Sequence, residues 1–144
     1  MPETVCKGCG GVMDFSGIDP FTVCECSDCG TEVVIPYELD YLKLERPLET
    51  KCFFDIYEGF DQSHNLDSVI LILKKDIPDY ATFLGMAKED AIALTTLKHP
   101  NICPIINCGE VQGYFFVSYP KMDGYTLSEY APDSQGLLDV QSVI

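Results

Sequence analysis

Two copies of one short pattern, 6-CKGCG-10 and 26-CSDCG-30, constrain this chain more than anything else in it. Sixteen residues separate Cys9 from Cys26. Two intervening residues let both thiolates of a CxxC knuckle reach one ion at about 2.3 Å, and the following glycine relieves the turn. Four thiolates, from Cys6, Cys9, Cys26 and Cys29, suit a closed tetrahedral Zn2+ site with no open position for water. Such a site is structural, and one zinc per chain is expected. Phe21 to Cys24 and Glu32 to Ile35 read as short strands around the second knuckle, which completes a zinc ribbon. Two knuckles with similar flanks are better explained by one shared metal than by separate redox pairs. Cys24 is an alternative to Cys26 as ligand, but its spacing to Cys29 makes a poor knuckle, and an alternating strand position also accounts for it. A ribbon of about 30 residues buries little core, so metal binding has to supply its folding energy, on the order of 10 kcal/mol or more.

The remaining length is enough for one ordinary domain of about 100 residues. No apolar run approaches the roughly 20 residues that cross a bilayer, and the start, MPETVCKGCG, has neither a basic nor an apolar leader region. A cytoplasmic setting follows as the expectation, with no membrane partner. In a reducing compartment eight cysteines act as metal ligands or buried thiols, not as disulfides. The formal net charge is −14. Up to Arg46 there are nine acids and three bases, and beyond it fourteen acids and six bases. Binding to nucleic acid depends on Lys and Arg neutralising phosphates, so neither part has the face for it. Nucleic acid is excluded as a partner.

From Tyr37 onwards the pattern changes. Tyr41 to Leu44 alternates as a strand, Phe53 to Phe60 is a second, and 61-DQSHNLD-67 is a polar turn. Val69 to Leu73 is a continuous apolar run, read as a central buried strand. The stretch 81–100 repeats apolar residues at helical spacing (Phe83, Met86 or Ala87, Ala91, Leu94, Leu97) until Pro100 stops it. Ile102 to Cys108 and Tyr114 to Tyr119 are two more strands around a turn at 110–113. Five antiparallel strands with one main helix make an α+β domain. The predicted organisation is a zinc ribbon at 1–36, the α+β domain at 37–131 and a C-terminal segment at 132–144. Pro36 to Asp40 is a short linker, which favours close packing of the two units.

The stretch from about Tyr41 to Tyr130 resembles the N-terminal lobe of a bacterial-type serine/threonine protein kinase. Its most specific piece is 97-LKHPNICPIINCGEVQGYFFVSYPKMDGYTLSEY-130. This is similar to the end of helix C, the His-Pro-Asn-Ile turn, strands four and five, the hinge, and the Gly-x-[ST]-Leu step into helix D. A ribbon leading into DYLKLERPL also resembles kinases that carry an N-terminal ribbon. Residues 136-GLLDVQSVI-144 look like the opening of the first C-lobe helix.

Measured against that resemblance, the parts that handle nucleotide are altered. The family's glycine-rich loop matches Leu48 to Ile56, and its three glycine positions hold Glu49, Lys51 and Phe54. Glycine matters there because backbone N–H groups must approach phosphate oxygens, which a side chain obstructs. The lysine of the Val-Ala-Ile-Lys strand, which pairs with the phosphates, falls on Leu71, or on Ile72 with a one-residue slip, and neither can bind phosphate. Lys74 lies three residues on from Leu71, an odd offset that points it to the other face of the sheet. The helix C glutamate position is Asp90, beside Glu89, and His99 matches the family's structural turn histidine. No His-Arg-Asp or Asp-Phe-Gly motif occurs in the sequence.

The residues therefore name no catalytic and no nucleotide-binding group, and ATP binding is not expected. The expected function is a catalytically inactive, pseudokinase-like module that works by protein contact, with a protein partner or a second copy of itself. The other reading is the N-terminal regulatory and ATP-binding portion of a longer serine/threonine kinase. In the first reading, the hairpin bearing Phe53 and Phe54 folds inward to fill the empty nucleotide cleft or offers an apolar surface to a partner.

Overall fold

The computed structural model describes residues 3–124. The expected C-terminal segment at 132–144, and the last residues of the lobe from 125 onwards, lie outside them. The ribbon consists of two antiparallel hairpins. One pairs β1 (Glu3–Val5) with β2 (Val12–Asp14), and the other pairs β3 (Thr22–Glu25) with β4 (Glu32–Ile35). The second hairpin matches the sequence reading; the first escapes it, because three-residue strands are too short to show a period.

Beyond the ribbon lies one antiparallel sheet with strand order β5-β6-β7-β8-β10-β9. Its strands are β5 (Glu38–Leu39), β6 (Leu42–Thr50), β7 (Phe54–Asp61), β8 (Leu66–Leu73), β9 (Asn107–Val111) and β10 (Tyr114–Pro120). The sheet thus has six strands where the sequence predicts five. The extra one comes from the supposed linker, where Glu38 and Leu39 pair with Lys43 and Leu42. Only two residues long, β5 is held by Leu39, which is fully buried.

Other boundaries also differ from the sequence reading: β6 runs on to Thr50, β7 starts at Phe54 and β8 starts at Leu66. The strand expected from Ile102 begins only at Asn107, because Pro104 has no N–H to donate to a ladder. Ile105 is buried all the same, before the strand starts. Helix α1 (Tyr80–Thr95) stops well ahead of Pro100. There the hydroxyls of Thr95 and Thr96 donate to the carbonyls of Ile92 and Ala93, at 2.6 and 2.7 Å. Those bonds occupy carbonyls that would otherwise face solvent at the helix end. Leu97, expected on the apolar stripe, is outside the helix and exposed. The β9–β10 turn is made by Gln112 and Gly113, both at positive φ (48° and 82°), as a two-residue hairpin of this twist requires.

Alternation along the strands divides the core in two. Ile70 and Ile72 of β8, Tyr57 of β7, Leu42 and Leu44 of β6 and Phe116 of β10 cluster on one face. Leu71, Leu73, Phe115 and Val117 cluster on the other, against Ala91 of α1. The ribbon's Val34 and Phe21 belong to the first cluster. The ribbon covers one face of the sheet and the helix covers the other. Close packing of the two units, expected from the short linker, takes this form.

Candidate metal centre and apolar crevice

The two knuckles fold alike. In the first, the Cys6 amide donates to the Gly11 carbonyl at 2.8 Å and the Gly10 amide to the Cys6 carbonyl at 2.9 Å. In the second, the Cys26 amide donates to Thr31 at 2.9 Å and the Gly30 amide to Cys26 at 2.8 Å. Both closing glycines sit at positive φ (75° and 71°), a conformation that a side chain would strain.

These turns bring the sulfurs of Cys6, Cys9, Cys26 and Cys29 within 4.8 Å of one another. Across the knuckles, Cys6 Sγ is 3.6 Å from Cys29 Sγ and Cys9 Sγ is 3.8 Å from Cys26 Sγ. A tetrahedral ion with bonds of about 2.3 Å needs sulfur–sulfur edges of about 3.8 Å. The donor set fits zinc in number, kind and spacing. Cys24 is not in the group; it is half-buried on β3 and packs against the ribbon core. Cys6 and Cys26 are buried, whereas Cys9 and Cys29 face solvent.

Hydrogen bonding already separates the thiols. The hydroxyl of Thr31, 3.1 Å from the sulfur, and the Thr31 amide pull Cys29 down to about 6. The Gly11 amide acts in the same sense on Cys9, but hydrogen bonding to the sulfur of Cys29, with smaller effects from Cys26 and Cys6, holds Cys9 up at about 12. Thr31 gives no sign of this role in the sequence.

The second site lies on the helix face of the sheet. A cavity of about 320 Å³ is lined by Phe53, Leu71, Phe83, Met86, Asp90 and Leu94, among others. Leu71 and Asp90, which the sequence count matches to the family's lysine and glutamate, both line it. Among the described residues no ion pair involves Asp90. Lys74 lines a different cavity, between the sheet and Asp19 to Phe21 of the ribbon, with its Nζ 3.9 Å from Asp55. The odd offset counted from the sequence puts it there.

The hairpin between β6 and β7 closes tightly. Lys51 N donates to the Phe54 carbonyl at 2.8 Å, and Glu49 and Lys51, two of the residues that the sequence count sets against the family's glycines, form an ion pair at 2.6 Å. Phe53 stacks on Phe83 of α1 with centroids 4.5 Å apart and planes 28° apart, and Phe54 packs against the helix-side core. The tip of the hairpin leans onto the helix. Helix α1 itself is thinly covered. Ala91 is its only buried residue, and Met86, counted toward the apolar stripe, is 54% exposed.

His99 accepts from the Asn101 amide at 3.0 Å, a turn contact with no reactive neighbour. His64 donates or accepts within a knot around buried Asp61, whose carboxylate also takes the Ser63 amide at 2.9 Å. The turn between β7 and β8, residues 62–65 and shorter than the 61–67 read from the sequence, is built on that carboxylate.

No protein-family profile matches the chain. Serine/threonine-protein kinase PknD of Mycobacterium tuberculosis is 28% identical over 82 residues, which is 54% of this chain and 12% of that protein. The solved PknI kinase domain of M. tuberculosis superposes with a TM-score of 0.62 at 17% identity, over 74% of this chain and 44% of the domain. The solved PpkA-294 apo form superposes with a TM-score of 0.58 at 14% identity, over 68% of this chain and 41% of that one.

The fold is that of a kinase-like N-lobe. The kinase-like lobe spans less than half the length of the solved domains it matches and a small part of PknD. Within the described residues no helix is long and apolar enough to cross a membrane.

Proposed function

We propose that the chain is a catalytically inactive, pseudokinase-like module that binds one structural zinc through Cys6, Cys9, Cys26 and Cys29 and works by protein contact. One observation carries the inactivity: Leu71 occupies the crevice where an ammonium would have to meet phosphate, while Lys74 stands on the opposite face, paired to Asp55. A hydrocarbon side chain cannot neutralise a transferring phosphoryl group, and phosphoryl transfer depends on that neutralisation. The stack of Phe53 on Phe83 supports a second element of the reading, that the former phosphate hairpin now serves as an apolar roof. The crevice and the thinly covered helix beside it are the surface offered to a protein.

Incubated with Mg-ATP and a generic serine/threonine substrate, the protein is expected to incorporate no phosphate into itself or the substrate. Incorporation that disappears in Lys74→Met would overturn the reading, since it would show Lys74 serving the nucleotide.

The share of its relatives that the chain spans favours a second reading, the front portion of a longer kinase-like protein. With Leu71 in place, that longer protein would be a pseudokinase too.

A further inference from the structure

The ribbon is joined to the lobe by more than the chain. Phe21 sits at φ 66°, a left-handed conformation that is rare and costly for a bulky residue. Such a residue persists only where its surroundings over-determine it. Here its amide donates to Ile35, and its ring lies 4.8 Å from Tyr114, edge-on, and 5.9 Å from Tyr57. Val34 of the neighbouring strand is buried in the same cluster as Ile70, Ile72 and Phe116. The Thr4 hydroxyl accepts from the Tyr37 amide at 3.0 Å, and the Lys7 ammonium donates to the Glu45 carbonyl. Both contacts tie the first hairpin, which carries Cys6 and Cys9, to the start of the lobe.

Strands β8 and β10 are hydrogen-bonded neighbours inside the sheet, and each carries residues for both faces. Ile70 and Ile72 meet the ribbon side while Leu71 and Leu73 line the crevice. In β10, Phe116 meets the ribbon side and Val117 lines the crevice. A change on the ribbon side reaches the crevice through one strand thickness.

We infer that the ribbon is a zinc-dependent clamp on the kinase-like sheet, with Phe21 as its wedge, so that the metal state of the four cysteines sets the order of β8 and β10 and thereby of the crevice. The inference rests on the zinc reading above. A small ribbon without metal loses its own fold, and with it the cover over Tyr57, Ile70, Ile72 and Phe116. The clamp does not depend on whether the lobe is active.

Zinc content and amide hydrogen exchange, measured on the same samples, test it. Purified protein is expected to hold one zinc per chain. Chelation is expected to speed exchange at Ile70, Leu71, Ile72 and Phe116 on the order of a hundredfold. Phe21→Ala is expected to keep its zinc, yet to exchange at these amides about tenfold faster, the loss of two aromatic contacts. Protein without zinc overturns the four-thiolate reading and the clamp with it. One zinc per chain with unchanged exchange after chelation overturns the clamp alone. Unchanged exchange in zinc-loaded Phe21→Ala overturns Phe21 as the wedge.

Discussion

Cys26→Ser is expected to yield protein with no stoichiometric zinc and an unfolded ribbon at 25 °C. Cys26 is 3% exposed and supplies one of the four clustered sulfurs. A hydroxyl replaces a thiolate there, and the three remaining ligands leave an open position. Structural zinc supplies on the order of 10 kcal/mol to a unit of this size, whereas whole domains are stable by about 5–15 kcal/mol. No packing in the ribbon offsets a loss of that size, since its own buried cluster is Cys6, Cys26, Val33, Ile35 and Tyr37, with ligands among its members. Metal analysis and two-dimensional amide NMR would read the result directly. Dispersed signals for residues of the ribbon in a zinc-free Cys26→Ser protein would contradict it. The half-buried Cys24→Ser makes the matching control, and is expected to keep its zinc.

The second large effect is expected at Gly59. A Cβ there would stand 2.0 Å from the carbonyl oxygen of Lys43 and 2.9 Å from Cδ1 of Ile70. The first contact is backbone, between paired strands β6 and β7, so no side-chain rotation relieves it. Overpacking of this kind costs about 3 kcal/mol or more, and Gly59→Ala is expected to lower the melting temperature by roughly 10 °C. Gly85→Ala is the informative contrast. Nothing lies within 4 Å of its Cβ position, and it sits inside α1, where alanine is favoured over glycine by about 1 kcal/mol. It is expected to raise the melting temperature by a few degrees. Equal effects at the two positions would show that the strand contact is not what holds Gly59.

Much of this molecule could be read before any coordinate. The knuckles are legible because metal ligation demands both a spacing and a glycine, and Gly10 and Gly30 meet the demand with positive φ. The face that Leu71 takes is legible because strand alternation is strict: Leu71 pairs with Ile56 and lies on the helix side, while Ile70 and Ile72 lie on the other. What stays hidden depends on distance in space. Phe21 and Val34 look in the sequence like any two strand residues, and only burial shows that they belong to the lobe's core. Strands β1 and β5 have three and two residues, too few to display a period. The apolar stripe of the helix was legible, but its fate was not: Ala91 meets the sheet while Met86 and Leu94 remain exposed. Periodicity reports which face is apolar, not what covers it.

The crevice is expected to have no grip on phosphate, and thermal unfolding with and without Mg-ATP tests that most directly. A ligand at a hundred times its Kd stabilises the folded state by about 2.7 kcal/mol, which for a chain of this size is roughly 8 °C. With millimolar Mg-ATP the melting temperature is expected to stay within about one degree of that with magnesium alone. A rise of several degrees, abolished by Lys74→Met, would contradict the account.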